Sequence, residues 1–236
     1  MSSTPNAPPR APPRPPGDRG FLLDLAERVA VLMLFVLFVH RLLPRLTGLV
    51  LIQFEHPELV PMAAGINAQA ALLVVSEGLA AALIVARRRS ASMSMQPFDW
   101  ALSFSAVAAP LLLTRAAPQA TLIPAAVVTG VMIAGLLVQI AGKAALWRSF
   151  GLVPANRGVK TGGPYRFVRH PIYAGYTLTH VGFLAGFPDW RNALLYAGVL
   201  AIEIARIFRE EAVLRRDPAY QAYAERVRYR LLPGVF

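Results

Sequence analysis

The residues of this 236-residue chain whose types and spacing suit chemistry gather in its last third. Phe150–Tyr176, FGLVPANRGVKTGGPYRFVRHPIYAGY, is basic, aromatic and rich in Gly and Pro, and it leads into an apolar stretch. Pro171 suits the first turn of a helix, where its missing N–H would lack a partner anyway. That helix start would offer free N–H groups beside Arg169 and His170, a natural place for an anionic ligand group. Equally, Arg169 and His170 could simply anchor a helix at lipid head groups. In Ala201–Arg216, the residues Glu203, Arg206 and Glu210 follow i, i+3, i+7 and share one helical face. Charges at a membrane boundary are costly unless they meet partners or a polar cavity. The face is therefore a ligand-binding stripe or, in the plainer reading, a solvated ladder of intrahelical ion pairs. The last segment carries Tyr220 and Tyr223, then Arg226, Arg228 and Arg230 alternating with Val227, Tyr229 and Leu231. Alternation predicts an extended piece after a short helix, either closing over a site or anchoring at the interface.

The elements that must position these residues are membrane helices. Hydrophobic residues make up 56% of the chain and charged ones 16%, against about 25% charged in soluble domains; the mean hydropathy is +0.48. There is no cysteine, which excludes disulfide scaffolds, Cys-ligated zinc, iron–sulfur clusters and a Cys nucleophile; no metal site is expected. Gly158, Gly162 and Gly163 lack a strand–loop–helix setting, so no dinucleotide or P-loop motif is supported. A span needs about 20 mostly apolar residues. Leu59–Ala86, Ala116–Gly142 and Pro171–Pro188 meet that need best. Trp100–Thr114, Val29 to about Leu43, and Asn192–Ile202 are shorter, the last expected to run on as an amphipathic helix to near Arg216, with a break at Asp217-Pro218.

Six spans with the N-terminus inside divide the basic residues unevenly. The inner segments, namely the tail, Arg87–Gln96, Lys143–His170 and the C-terminus, hold 20 of the 24 Lys and Arg, and the outer side only Arg41, Arg45, Arg115 and Arg191. By the positive-inside rule both termini are cytoplasmic. The net charge of +11 then faces anionic lipid head groups, and no nucleic-acid partner is expected. Expected regions are a disordered Pro-rich tail (1–20), transmembrane helices 1–4 (21–149), and a cofactor region with helices 5–6 (150–236). The fold class is an all-α polytopic membrane protein with about six transmembrane helices, multi-pass in a bacterial-type inner membrane, with a cytoplasmic C-terminal site.

Two separated motifs, GPYRFVRHPIYAGY (Gly163–Tyr176) and REEAVLRRDPAYQAYAERVRYRLLPGVF (Arg209–Phe236), with an apolar hairpin between them, resemble the isoprenylcysteine carboxyl methyltransferase family. The resemblance runs from Arg157 to the C-terminus, while Phe150–Lys160 matches the eukaryotic enzymes poorly. Broader relatives are phospholipid N-methyltransferases and NADPH-dependent membrane sterol reductases, whose RHP motif typically continues with Asn where this chain has Ile172. The resemblance implies S-adenosylmethionine as cofactor, bound by Lys160, Thr161, Gly163, Tyr165, Arg169, His170, Pro171, Tyr173 and Glu210. It further implies that Arg206 holds a substrate carboxylate and acts as the catalytic residue, with Glu203 beside it in the substrate site.

The chemistry agrees with those roles. A carboxylate is ionised at neutral pH, so its methylation needs no base; placing two reactants in line is worth about 7–11 kcal/mol. An amine acceptor would need a base. The expected function is S-adenosylmethionine-dependent methylation of a lipophilic small molecule or lipidated substrate through its carboxylate. The alternatives are phospholipid N-methylation and NADPH-dependent reduction. Glu77 and His180 are the other polar residues inside spans: His180 reads as a packed histidine, and Glu77 as either an ion-pair partner or part of a substrate cavity.

Overall fold

The computed structural model describes residues 18–55, 60–90, 92–113 and 123–236. The tail up to residue 17, together with Leu59, Thr114 and 116–122 of the expected spans, lies outside the described residues. All regular structure among those described is helical: α1 (Asp18–Glu55), α2 (Val60–Ala86), α3 (Pro97–Ala108), α4 (Ala125–Leu146), α5 (Pro171–Gly186), α6 (Trp190–Leu214) and α7 (Pro218–Arg226).

The helix starts follow local rules. Pro97, Pro171 and Pro218 each stand in the first turn of their helix. Asp189 caps α6 by accepting from the Arg191 and Asn192 N–H groups, and Asp217 caps α7 by accepting from Ala219 at 3.0 Å. Trp147, at φ +48°, turns the chain out of α4.

Several boundaries differ from expectation. Ile123 and Pro124, inside the expected Ala116–Gly142 span, precede α4, and the α-helix of the expected Trp100–Thr114 span ends at Ala108. Asp18–Gly20 belong to α1, not to a tail, and α1 continues through Pro44 to Glu55, well beyond Leu43. Lys143 lies inside α4, not in an inner loop. Two helical stretches, Asn67–Ala86 and Ala125–Ser149, are long and apolar enough to cross a membrane. The 16 residues of α5 rise about 24 Å, short of a hydrocarbon core of about 30 Å. The second half of α6 carries the charged stripe.

α4 and α5 make the closest helix pair, because small residues remove the side chains between them. A Cβ added to Gly175 would lie 2.7 Å from the Gly135 carbonyl oxygen, and one on Gly135 would lie 2.8 Å from the Gly175 carbonyl oxygen. At one end of the bundle the basic segments converge. The Arg88 N–H donates to the Arg148 carbonyl, Ser94 N–H to Pro154, and Arg169 and His170 N–H to Tyr229 and Arg230, all at 2.9 Å. The tail is thus extended backbone pairing with the start of α5, though it forms no strand.

Candidate functional site

The face of α6 that carries Glu203, Arg206 and Glu210 turns inward. A cavity of about 580 Å³ is lined by all three, by Phe38 of α1 and Glu77 of α2, and by Tyr165 and Tyr220 near the tail. It therefore joins the apolar middle of the bundle to the basic end. Glu203 and Arg206 are 3% and 6% exposed, so the solvated-ladder reading of this face is wrong.

Arg206 is gripped by several groups. Its Nη2 donates to the Leu152 carbonyl at 3.0 Å and lies 3.9 Å from Glu210, and its guanidinium stands 5.2 Å from the centre of the Tyr173 ring. Its Nε nevertheless has no partner, and neither does Glu203 Oε2. Tyr173 donates its hydroxyl to Glu210, and His170 stands 3.8 Å from the other Glu210 oxygen. Such orphaned polar atoms inside a cavity point to a ligand that completes them.

Glu211, one residue on, has a structural job. It accepts from Arg169 Nε at 2.8 Å and meets Arg230, Arg215 and His170 at 3.2–3.4 Å. Burial alone would raise its pKa, but His170, Arg169 and Arg230 hold it well below the usual carboxylate range. Arg169 also donates to the Val227 and Arg228 carbonyls at 3.0 and 3.1 Å. Its guanidinium thus lines the cavity but is committed to fastening the tail. Tyr223 donates to the Tyr165 carbonyl at 2.8 Å, and both rings pack with Tyr220. Burial pushes the Tyr223 hydroxyl up to about 12 and that of Tyr165 well up, so both stay neutral.

Of the residues assigned from the sequence, Lys160, Tyr165, Arg169, His170, Tyr173, Glu203, Arg206 and Glu210 line this cavity. Thr161 and Gly163 are exposed and outside its lining; Pro171 is buried at the helix start and also outside it. Glu77 answers to both of its readings. It pairs with Lys143 at 3.0 Å and it lines the cavity. His180 stacks on Tyr196 at 4.2 Å, as a packed histidine should, but it too lines the cavity.

Sequence reasoning missed a second charged cluster. Arg87 bridges Asp24 and Glu27 of α1, at 2.7 Å each, and Glu27 accepts from the Leu152 and Val153 N–H groups. This ties α1 to the segment that carries Arg157. Burial, then the neighbouring Arg87, lowers the Arg157 pKa to about 10. The only prior signal was a pair of acids just ahead of an apolar run.

The cavity suits a cationic, partly aromatic ligand such as S-adenosylmethionine. Tyrosine faces and the Glu210 carboxylate attract a sulfonium and an ammonium, and the free Arg206 Nε can meet an anionic group. The volume falls within the range of about 300–1,000 Å³ usual for ligand sites.

Residues 124–221 match the family model described as phospholipid methyltransferase. That stretch runs from α4 to α7 and contains every cavity residue assigned from the sequence. No curated protein and no solved structure matches the chain. The match is to the broader relatives of the resemblance; it does not carry the isoprenylcysteine-specific assignment. The activity class it brings is enzymatic methyl transfer, with S-adenosylmethionine as the methyl donor.

Proposed function

We propose that this chain methylates the amine of a membrane phospholipid at the cytoplasmic end of a six-span helical bundle. When bound, S-adenosylmethionine supplies an electrophilic methyl group on a sulfonium. Tyr165, His170, Tyr173 and Glu210, with Tyr220 and Tyr223, would hold it. The observation that carries the amine reading is Glu203: a buried carboxylate with an unpartnered oxygen, on the lining of the cavity. A lipid amine enters as an ammonium and must lose a proton before it can act as a nucleophile. Glu203 is the group that takes that proton, a role general bases fill with gains of about 10²–10⁴. The phospholipid methyltransferase match supports the same acceptor class.

The apolar part of the cavity, walled by α1, α2 and α5, would take the acyl chains. The convergence of the basic segments at one end supports a common, cytoplasmic side for them and hence both termini inside.

A second reading keeps a carboxylate acceptor, as in the isoprenylcysteine carboxyl methyltransferases. It is favoured by the free Nε of Arg206, which has the planar fork that recognises carboxylates. The discriminating experiment incubates the purified protein with methyl-labelled S-adenosylmethionine and defined lipids. Label in phosphatidylethanolamine, stable to mild base, supports the amine acceptor. Base-labile label in a prenylated cysteine or fatty acid, with none in phosphatidylethanolamine, rejects it.

A further inference from the structure

Five charged side chains meet where α1, the end of α2 and residues 150–158 join. Asp24 and Glu27 stand against Arg28, Arg87 and Arg157, so cations exceed anions by one. The two carboxylates are already engaged. Asp24 takes Arg28 and Arg87, while Glu27 takes Arg87 and the N–H groups of Leu152 and Val153. Arg157 reaches Glu27 only at 3.8 Å, with 2% of its side chain exposed. Its Nε has no partner. The unbalanced charge therefore falls on Arg157, which lines the cavity.

Arg157 lies directly on Gly151, where a Cβ would come within 2.1 Å of its Nη1. Arg206 holds the next residue, through its bond to the Leu152 carbonyl. Two buried guanidiniums, each with a free Nε, thus attach to neighbouring residues and face one cavity. Arrays of this kind suit a phosphate, whose oxygens accept from several forked donors at once.

We propose that Arg157 and Arg206 together hold the phosphodiester of the acceptor lipid, and so select phospholipid amines over amines without phosphate. The proposal rests on the amine reading for its substrate class. Arg206 and Glu203 are three residues apart, a rise of about 4.5 Å. In an ethanolamine headgroup two carbons separate the phosphate oxygen from the amine. A phosphate fixed at Arg206 therefore leaves the amine beside Glu203. The carboxylate of the methyl donor is the other anion at hand, but Tyr165, Tyr220 and Tyr223 pack together at α7, whereas Arg157 leans on Glu27 of α1 and on Met93.

The test measures binding by calorimetry on the full chain in detergent, for wild type and Arg157→Gln. The ligands are dihexanoyl phosphatidylethanolamine, a long-chain alkylamine lacking phosphate, and S-adenosylmethionine. Arg157→Gln is expected to bind the phospholipid at least tenfold more weakly, with the other two affinities within twofold of wild type. Unchanged phospholipid affinity overturns the proposal. A tenfold loss for S-adenosylmethionine with the phospholipid unaffected also overturns it, by assigning the pair to the donor's carboxylate. If Arg157→Gln does not fold, Arg157→Lys takes its place: it keeps the charge but loses the fork, and the same selective loss is expected, with its absence refuting the clamp. Wild-type protein that binds the phospholipid through Arg157 yet never methylates it refutes the amine acceptor and leaves the clamp standing.

Discussion

Glu203→Gln separates an amine acceptor from a carboxylate one. The substitution is nearly isosteric and removes only the charge and the proton-accepting oxygen. Arg206 keeps the Leu152 carbonyl and Glu210, so the fold and donor binding should survive. The loss follows from the proton. With a pKa of about 10.4, as for a lysine ammonium, only about one lipid amine in 10³ is unprotonated at about pH 7.4. Without its base the enzyme must wait for that fraction, so kcat with phosphatidylethanolamine should fall about 10³-fold, inside the range of about 10²–10⁴ seen for general bases. The variant's rate should then climb about tenfold per pH unit toward the amine pKa. Burial pushes the Glu203 carboxyl up to about 8, so the wild-type rate should rise only until that group is ionised and level off above it. The assay is label transfer from S-adenosylmethionine in detergent across neutral to alkaline pH, with donor affinity measured alongside. A carboxylate acceptor has no proton to lose, and removing a like charge beside it would leave the rate unchanged or raise it. Glu203→Gln activity above about one third of wild type, or parallel pH profiles, would refute the base assignment.

Three further outcomes are expected. Reporter fusions at Arg89 and after Phe236 should both read cytoplasmic; disagreement means that the number of spans between them is odd. Glu210→Gln should weaken S-adenosylmethionine binding about tenfold by calorimetry while thermal stability stays near wild type, because Glu210 is only partly buried and its one close partner is Tyr173. Glu211→Gln should instead destabilise the protein, by about 3–5 kcal/mol at neutral pH, since it strips a buried carboxylate from Arg169 and Arg230. The folded pKa of Glu211 lies below its unfolded value of 4.5. Its contribution is therefore complete above that pH and is lost as the pH falls further. The melting temperatures of wild type and Glu211→Gln should accordingly converge in acid, and a gap that persists there contradicts the pairing.

The features legible in the sequence are those that local rules dictate. Pro171, Asp217-Pro218 and the i, i+3, i+7 stripe announce themselves within a few residues, and each appears as expected. What the sequence hides is which charges neutralise which. Arg169 has the type and position of an anion-binding group, yet Glu211, 42 residues away, claims it. Lys143 belongs to an inner loop by its charge, but Ser76 and Glu77, 66–67 residues earlier, draw it into the bundle. Pairings over such distances leave no periodic trace. The same limit governed the choice of acceptor. On the sequence Glu203 is one more charge on a helical face; the burial of that face, and a cavity in which its Oε2 has no hydrogen-bond partner, are what support the proposed role as a base.

That distinction gives the unpaired groups their weight. A bundle that holds Asp24, Glu27, Arg87, Lys143, Arg169 and Glu211 away from water has matched each of them with partners, as the desolvation of a charge requires. Among the described residues a few other buried polar atoms also lack a hydrogen-bond partner, Arg87 Nη1 and Arg230 Nε among them, but Glu203, Arg157 and Arg206, with the Tyr220 hydroxyl, are the ones whose residues line the one cavity. An apolar cavity that merely held a lipid tail would have no need of them. A carboxylate beside two forked cations is instead what a headgroup joining an ammonium to a phosphate calls for: on the proposed reading the carboxylate would first attract the ammonium and then take its proton, while the cations would hold the phosphate in place.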